Sequence, residues 1–436
     1  MPHSGRSTQV IERVFLVGVA FRPAPLHGAS APGETRSPAA SLAELAELAR
    51  GAGAEIAGEI SQIRPAPDPA YLIGRGKLDE LRAVLAGLDA SSVIFDHDLT
   101  PTQQRNLEQA LEIRVVDRTQ LILDIFARHA RTREGQLQVE LAQLQYRLPR
   151  LSGRGVEMSR LGGGIGTRGP GETQLESDRR RIQQRIRGLR LNLEAVRRQR
   201  QRQRQLRESV PLATVALVGY TNAGKSTLFN ALTGAGVYAS ARMFATLDPT
   251  LRAISLPSHR RILLSDTVGF LRQLPHGLIE AFRATLEEVQ RAHLLLLVSD
   301  ITAPDREEQV REVRKVLAEL GVADRPLLEV WNKIDLLPGP IAPPVGAAAP
   351  LRLSARSGAG ISELLSALDS AITLDPAEPV DLELPHAAGD LLHRIYEYGV
   401  VLARESRPAG IRLQAVLPQS LQKQLAMYRV NPKSRT

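Results

Sequence analysis

The chain has 436 residues, 43% of them hydrophobic and 24% charged, with 34 Gly, 28 Pro and no Cys. At ~100–200 residues per domain, that length predicts two to four domains, with enough apolar content for real cores. The lack of cysteine excludes a disulfide framework and any thiolate metal or redox site, and the longest apolar runs, such as Leu294 to Val298, fall far short of the ~18 residues a membrane span needs.

Val14 to Phe21 has the length of a signal h-region, but Glu12 precedes it and Arg22 follows, which favours a buried strand. Arg13–Ala20, Glu55–Arg64, Ser91–Asp96 and Ile113–Arg118 are rich in Val, Ile and Phe and read as strands. Ser41–Arg50, Gly76–Leu88 and Pro101–Glu112 carry helix formers with apolar residues at 3–4 spacing. This alternation predicts an α/β domain over 1–118, interrupted by a Pro/Ala/Gly-rich loop at 22–40. Gly74-Arg75-Gly76-Lys77 reads as a turn, with a phosphate contact as the sharper alternative.

From Thr119 the period changes. Leu137, Leu141, Leu144 and Leu148 form one 4-3-4 stripe, and Ile182, Ile186, Leu189, Leu193 and Val196 form a second. Between them, residues 152–173 hold eight Gly from Gly153 to Gly171, together with Arg154, Arg160 and Arg168. Glycine at that density disfavours a helix by ~1 kcal/mol each relative to Ala. The spacing therefore predicts an antiparallel helical hairpin over 119–208, tipped by a flexible basic loop.

Net charge is +9, yet residues 179–207 alone hold twelve Arg and one Glu, so the rest of the chain carries −2. Arg179, Arg180 and Arg181 open that run. Two readings of the hairpin stay open on this basis: a solvated coiled coil, or a lever presenting Gly and Arg to the backbone of a nucleic acid. Without aromatic residues for base stacking, the second implies recognition of backbone or shape.

The strongest motif is Gly219-Tyr220-Thr221-Asn222-Ala223-Gly224-Lys225-Ser226, followed by Thr227, between the apolar run Ala213–Val218 and the helix-like Ser226–Leu232. This is a G-x-x-x-x-G-K-S phosphate loop in its strand–loop–helix context. Lys225 reaches the outer phosphates and the Ser226 hydroxyl ligates Mg²⁺. Asn332-Lys333-Ile334-Asp335 closes the apolar strand Leu327–Trp331. A carboxylate at Asp335 accepts from both N1–H and the exocyclic amine of guanine, which adenine does not offer. Ser354-Ala355-Arg356 brings backbone towards the guanine carbonyl oxygen. Asp266-Thr267-Val268-Gly269 follows another strand, so Asp266 reaches Mg²⁺ through a water and the Gly269 N–H meets the γ-phosphate. Phe244-Ala245-Thr246 opens the segment up to Thr250, with Thr246 as candidate for a second Mg²⁺ hydroxyl and Thr250 as its nearest rival. Lys225 and Gly269 are the candidate catalytic groups. Phe270 stands where many GTPases carry a water-orienting Gln, so hydrolysis by the chain alone should be slow. Asn222 is either a loop-stabilising amide or a partial ligand for a monovalent cation such as potassium.

The order and spacing of these motifs resemble a translation-factor-class GTPase. The finer resemblance is to the HflX family of ribosome-associated GTPases. It is carried by GGGIGTRGPGETQLESDRR (Gly162–Arg180), GYTNAGKSTLFNAL, FATLDPT, DTVGFLRQLPH (Asp266–His276) and Val115–Leu144. The resemblance implies a multidomain α/β protein: an N-terminal α/β domain, the helical hairpin, a P-loop G domain with mixed sheet at 211–374, and a small C-terminal α/β domain at 375–436. In the last, Val380–Leu384 and Ile411–Leu417 read as strands and Asp390–Tyr398 as a helix. The short apolar runs and the lack of a signal segment make a cytoplasmic home without stable membrane insertion the default, and a monomer is expected. The resemblance also implies that the partner is the ribosome, mainly the large subunit and its RNA, with stalled ribosomes separated under stress. The rival reading is an RNA-binding assembly factor that uses GTP only as a conformational lock. A membrane-surface regulator fits less well, because the Arg-rich helix has no Trp or Phe anchor.

Overall fold

The computed structural model describes residues 12–21, 38–153, 170–205, 212–234, 250–272, 283–337, 339, 350–372, 375–408 and 410–430. The chain divides into two compact units, with the change near Glu194.

The first unit opens with a parallel four-stranded sheet. β1 (Arg13–Phe21), β2 (Glu55–Arg64), β3 (Ser92–Phe95) and β4 (Arg114–Val116) lie in the order β2-β1-β3-β4. α1 (Pro38–Gly51), α2 (Arg75–Ala86) and α3 (Pro101–Leu111) make the crossovers. Parallel strands covered on both faces need near-continuous apolar sequence, and β1 and β3 supply it: Phe15, Val17, Val93 and Phe95 meet Leu81 and Leu107 in one core. α3 starts at a capping box, with Thr100 and Gln103 satisfying each other's backbone and Pro101 at the first helical position. The Gly74–Lys77 turn enters α2. The Gly74 N–H donates to Gln62 Oε1 at 3.0 Å and Lys77 pairs with Glu80 at 2.8 Å.

In sheets of this order, ligands settle at the carboxyl ends of the strands where the winding reverses, here between β1 and β3. The residue just past β3, Asp96, instead accepts from Arg118 Nη1 at 2.6 Å and from the Ser41 hydroxyl, and Arg118 also holds Glu44. Asp96 and Arg118 are both buried, so an ion-paired polar plug takes that position.

α4 (Arg118–His129), capped by Asp117, packs on α1 and β3 as well as on α5 (Arg133–Arg147). The sequence reading places it in the hairpin from Thr119 onward; its buried face of Leu121, Ile122, Ile125 and Phe126 serves the sheet too. The hairpin seam lies between α5 and α6 (Pro170–Gln205): Leu137, Leu141, Leu144 and Leu148 meet Ile182, Ile186, Leu189 and Leu193. Arg185 spans it with two bonds to Glu140, at 2.7 and 2.9 Å. Arg150, just past α5, donates to Leu99 O, Asp117 Oδ2 and Gln104 Oε1, and stacks 3.5 Å from the Tyr146 ring centre. This side chain secures the foot of the hairpin to the α/β layer.

The second unit contains a six-stranded sheet in the order β10-β9-β8-β5-β7-β6. Its strands are β5 (Thr214–Gly219), β6 (Thr250–Ser255), β7 (Arg261–Asp266), β8 (Leu294–Asp300), β9 (Leu327–Asn332) and β10 (Leu351–Arg352). All pairings are parallel except the edge strand β6, which is antiparallel to β7. α7 (Lys225–Thr233), α8 (Arg283–Arg291), α9 (Arg306–Glu319) and α10 (Ile361–Ala371) flank it. This is the expected P-loop GTPase fold. β5 lies mid-sheet, so the loop leaving it sits among the carboxyl ends of its neighbours.

A three-stranded antiparallel sheet follows: β11 (Ala377–Leu384), β12 (Val400–Arg407) and β13 (Gly410–Pro418), in the order β11-β13-β12. α11 (Gly389–Tyr398) and α12 (Gln419–Gln424) cover its apolar face through Ile395 and Leu421. The sequence reading gives β11, α11 and β13 but not β12 or α12. Arg261 Nη1 donates to the Glu397 carbonyl oxygen, linking β7 to α11. Among the described residues, no helix is long and apolar enough to cross a membrane.

Candidate functional site: a phosphate loop with a guanine pocket

The loop from Gly219 to Ser226 runs from the end of β5 into α7. Gly219 and Gly224 take φ of +152° and +90°, and an added Cβ would lie 2.1 Å from the Val298 carbonyl oxygen and 2.3 Å from Asn332 Nδ2 respectively. Only glycine meets both demands. Asn222 also has a positive φ, 62°, a backbone state that Asn tolerates better than most residues. That is a sufficient local reason for an amide there.

Lys225 is buried, and its Nζ donates to the carbonyls of Gly219 at 3.0 Å and Tyr220 at 2.7 Å. Burial pushes its pKa down to about 8, against the opposing pull of Asp266. The ammonium is thus folded over the loop, where it would meet the outer phosphates. The Ser226 hydroxyl donates to Asp266 Oδ2 at 2.7 Å. A hydroxyl beside a fully buried carboxylate is the hard-oxygen donor set that Mg²⁺ accepts, so these residues fit the metal general to this fold. Thr221 Oγ1 is buried with no hydrogen-bond partner among the described residues.

Gly269 comes close to both: a Cβ there would sit 2.7 Å from Thr221 Cγ2 and 3.1 Å from Lys225 Nζ. Phe270, buried, pairs its backbone with the phosphate loop. Its N–H donates to Gly219 O at 3.0 Å and its carbonyl accepts from Thr221 N–H at 2.8 Å. Its side chain offers no polar atom to orient a water.

Asn332 ties three loops together. Its Nδ2 donates to Ala223 O at 2.9 Å and its Oδ1 accepts from the Ala355 N–H at 2.9 Å. In this arrangement the Ala355 amide, read from the sequence as one of the guanine-facing groups, is engaged by Asn332. Asp335 is exposed and is oriented by the Ser354 hydroxyl, which donates to Oδ1 at 2.6 Å. Lys333 takes a left-handed φ of 68° and its Nζ holds Asp300 Oδ2 at 2.7 Å. Burial opposes ionisation of Asp300, but bonds from Lys333 and Thr302 outweigh it and hold its pKa below the usual range. Arg356 is exposed, Thr227 lies in the first turn of α7, and Thr250 begins β6 opposite Asp266. Phe244, Ala245 and Thr246, like Arg154, Arg160 and Arg168, lie outside the described residues.

Sequence reasoning missed the grip of Asp300 on Lys333, the clamp of Ser354 on Asp335, and the burial of Arg272. Asp300 had a faint signal, a carboxylate ending an apolar run; Arg272 had none.

The site brings together a glycine loop with a buried lysine, a hydroxyl–carboxylate pair and the exposed carboxylate of Asp335. Comparisons with known proteins agree. Residues 39–127 match the family described as GTP-binding GTPase N-terminal, and residues 129–207 the GTP-binding GTPase middle region. Residues 214–333 match a family described as 50S ribosome-binding GTPase. A GTPase HflX of Caldanaerobacter subterraneus subsp. tengcongensis is 48% identical over 388 residues, covering 89% of this chain and 90% of its own. One from Lacrimispora saccharolytica is 44% identical over 421 residues, 96% of each chain. One from Escherichia coli is 48% identical over 382 residues, 86% of this chain and 89% of its own. This chain therefore belongs to the HflX family of GTPases, enzymes that bind GTP and hydrolyse it to GDP and phosphate.

Proposed function

We propose that this GTPase works on the ribosome, mainly on the large subunit and its RNA, and that it separates or rescues ribosomes stalled under stress in the cytoplasm. The observation that carries the reading is the outward row of arginines on α6. Arg179, Arg180, Arg181, Arg187 and Arg190 are exposed, while the opposite face of the same helix is committed to the α5 seam. Arg180 and Arg181 pair with Glu176 at 3.3 Å and Asp178 at 3.9 Å along the exposed surface, contacts that phosphates displace at little cost. The match to a family described as 50S ribosome-binding supports the same partner.

In this reading the loop bearing Arg154, Arg160 and Arg168 enters ribosomal RNA, and the arginine row meets phosphates. The chain's chemistry rests on Lys225, the Gly269 N–H and Mg²⁺, with Ser226, Thr246 and Asp266 as the metal-holding residues. When bound, Mg²⁺ neutralises charge building on the phosphate oxygens. Phe270 supplies no water-orienting group, so hydrolysis is slow until the ribosome orders the site. Asn222 shares in a potassium site beside the phosphates in this reading, the alternative being an amide that only stabilises the loop.

Sedimentation with ribosomes and GDP, GTP or a non-hydrolysable analogue tests the reading. GTP-dependent co-migration and subunit separation are expected, and co-migration indifferent to the nucleotide would refute it. Deleting Arg154–Gly171 should abolish ribosome-stimulated hydrolysis while sparing GTP binding. Equal hydrolysis rates in potassium and sodium chloride at one ionic strength would dismiss the potassium site.

A further inference from the structure

Arg272 lies three residues beyond Gly269 and is only 4% exposed. Its Nη2 is 2.7 Å from Asp305 Oδ2 and 2.7 Å from Glu308 Oε2, so one nitrogen holds two carboxylates. Its backbone N–H donates to the phenol oxygen of Tyr220, the second residue of the phosphate loop, at 3.1 Å. With the two backbone bonds of Phe270, the segment from Gly269 to Arg272 is fastened to the phosphate loop on one side. On the other it is fastened to the start of α9.

Of these attachments, α9 is the firm reference. Val313 and Leu317 bury its inner face, and the Arg306 guanidinium lies 3.9 Å from the centre of the Trp331 ring on β9. The Gln309 side chain donates to Asp305 Oδ1 at 2.9 Å, which helps fix the carboxylate Arg272 grips, while its backbone N–H donates to the Asp305 carbonyl oxygen at 3.0 Å in the first turn of the helix. In GTPases of this fold it is the D-x-x-G segment that responds to the γ-phosphate. The bond network therefore runs from a fixed helix to a responsive loop.

We propose that Arg272 is a positioning residue for GTP hydrolysis: by holding Asp305 and Glu308 it sets where the Gly269 N–H stands relative to the third phosphate. Phe270 brings no polar side chain, so backbone placement is the chain's principal means of organising that end of the site. Misplacement by ~1 Å costs rate steeply. GDP has no third phosphate and does not sense that placement. The consequence of losing the grip falls on hydrolysis and not on GDP binding.

Single-turnover hydrolysis at saturating GTP, beside GDP affinity, tests this in the full chain. Arg272→Gln should slow hydrolysis about ten-fold while GDP affinity stays within about two-fold. Arg272→Lys should recover most of the rate, since an ammonium can put one charged nitrogen where Nη2 stood. An unchanged rate in the Gln variant, an equal loss of GDP affinity, or no recovery with Lys would overturn the proposal. Because removing one member of a buried ion pair strains the fold, Glu308→Gln gives the same comparison with Asp305 still in place. A smaller fall, confined to hydrolysis, is expected there, and no fall, or a fall in both quantities, would overturn it.

Discussion

Lys225 holds a charge where charge is disfavoured, and among the described residues carbonyl oxygens and the field of Asp266 compensate it. With its pKa at about 8, the ammonium of the empty loop gives up its proton as pH rises through that value, and polyphosphate favours the protonated form. Binding above pH 8 must therefore take up protons, and affinity must fall as pH climbs further. Calorimetry at pH 9, in buffers of different ionisation enthalpy, should find clear proton uptake on GTP binding, against much less at pH 6.5. No uptake at pH 9 would mean the lysine is charged throughout. Asn332 is the second residue on which the site turns. Asn332→Ala removes two buried hydrogen bonds and leaves partners unsatisfied, a loss of about 2–4 kcal/mol shared between stability and nucleotide affinity. Guanine nucleotide titration and thermal melting check it together. The motif Asn-Lys-x-Asp was legible in the sequence. What Asn332 does here was not, because a hydrogen bond from β9 to Ala223 depends on sheet order, which no local pattern encodes.

The elements show which sequence signals survive folding. β1 and β3, the two central strands of the first sheet, were legible because parallel, doubly covered strands force continuous apolar runs, and the edge strand β2 was legible from its spaced Ile residues although its side chains are exposed or half-buried. The two stripes of the hairpin were legible because packing one helix face on another imposes a 3–4 period, and Leu141 and Leu189 meet in the seam. β6 and β12 were not legible. Both are edge strands with mostly exposed or half-buried side chains, so neither carries alternation strong enough to separate them from loop sequence. α4 was legible as a helix but not in its allegiance, since a helix apolar over most of its girth suits a sheet and a helical partner equally. The seam makes its own prediction: Leu189→Ala should destabilise the protein by about 2–5 kcal/mol, because Leu189 is buried to 1% exposure among Leu and Ile side chains. Chemical denaturation checks it, and an exposed Leu191→Ala control should stay within about 0.5 kcal/mol.

For the molecule as a whole, the excess positive charge resides in one stretch of helix, with the remainder close to neutral. If that stretch meets RNA phosphates, replacing Arg179, Arg180 and Arg181 by Gln should flatten the dependence of RNA affinity on salt. The slope of log K against log salt should fall by about 2–3. GTP affinity, measured at the same salt concentrations, should not change. A slope unaltered by the triple replacement would shift the contact away from these arginines.

The strand order of the larger sheet also governs how the protein comes into being. Its central strand begins at Thr214, but the strands that flank the phosphate loop follow much later, and the Ser354–Arg356 segment comes last among the candidate site residues. On the proposed site, a chain emerging during synthesis should hold guanine only once Arg356 has cleared the exit tunnel, and it should need nothing from β11, β12 or β13. Truncated nascent chains ending shortly before and well after that residue should differ sharply in GTP retention, so that the enzyme acquires its nucleotide late in translation yet before its final sheet has formed.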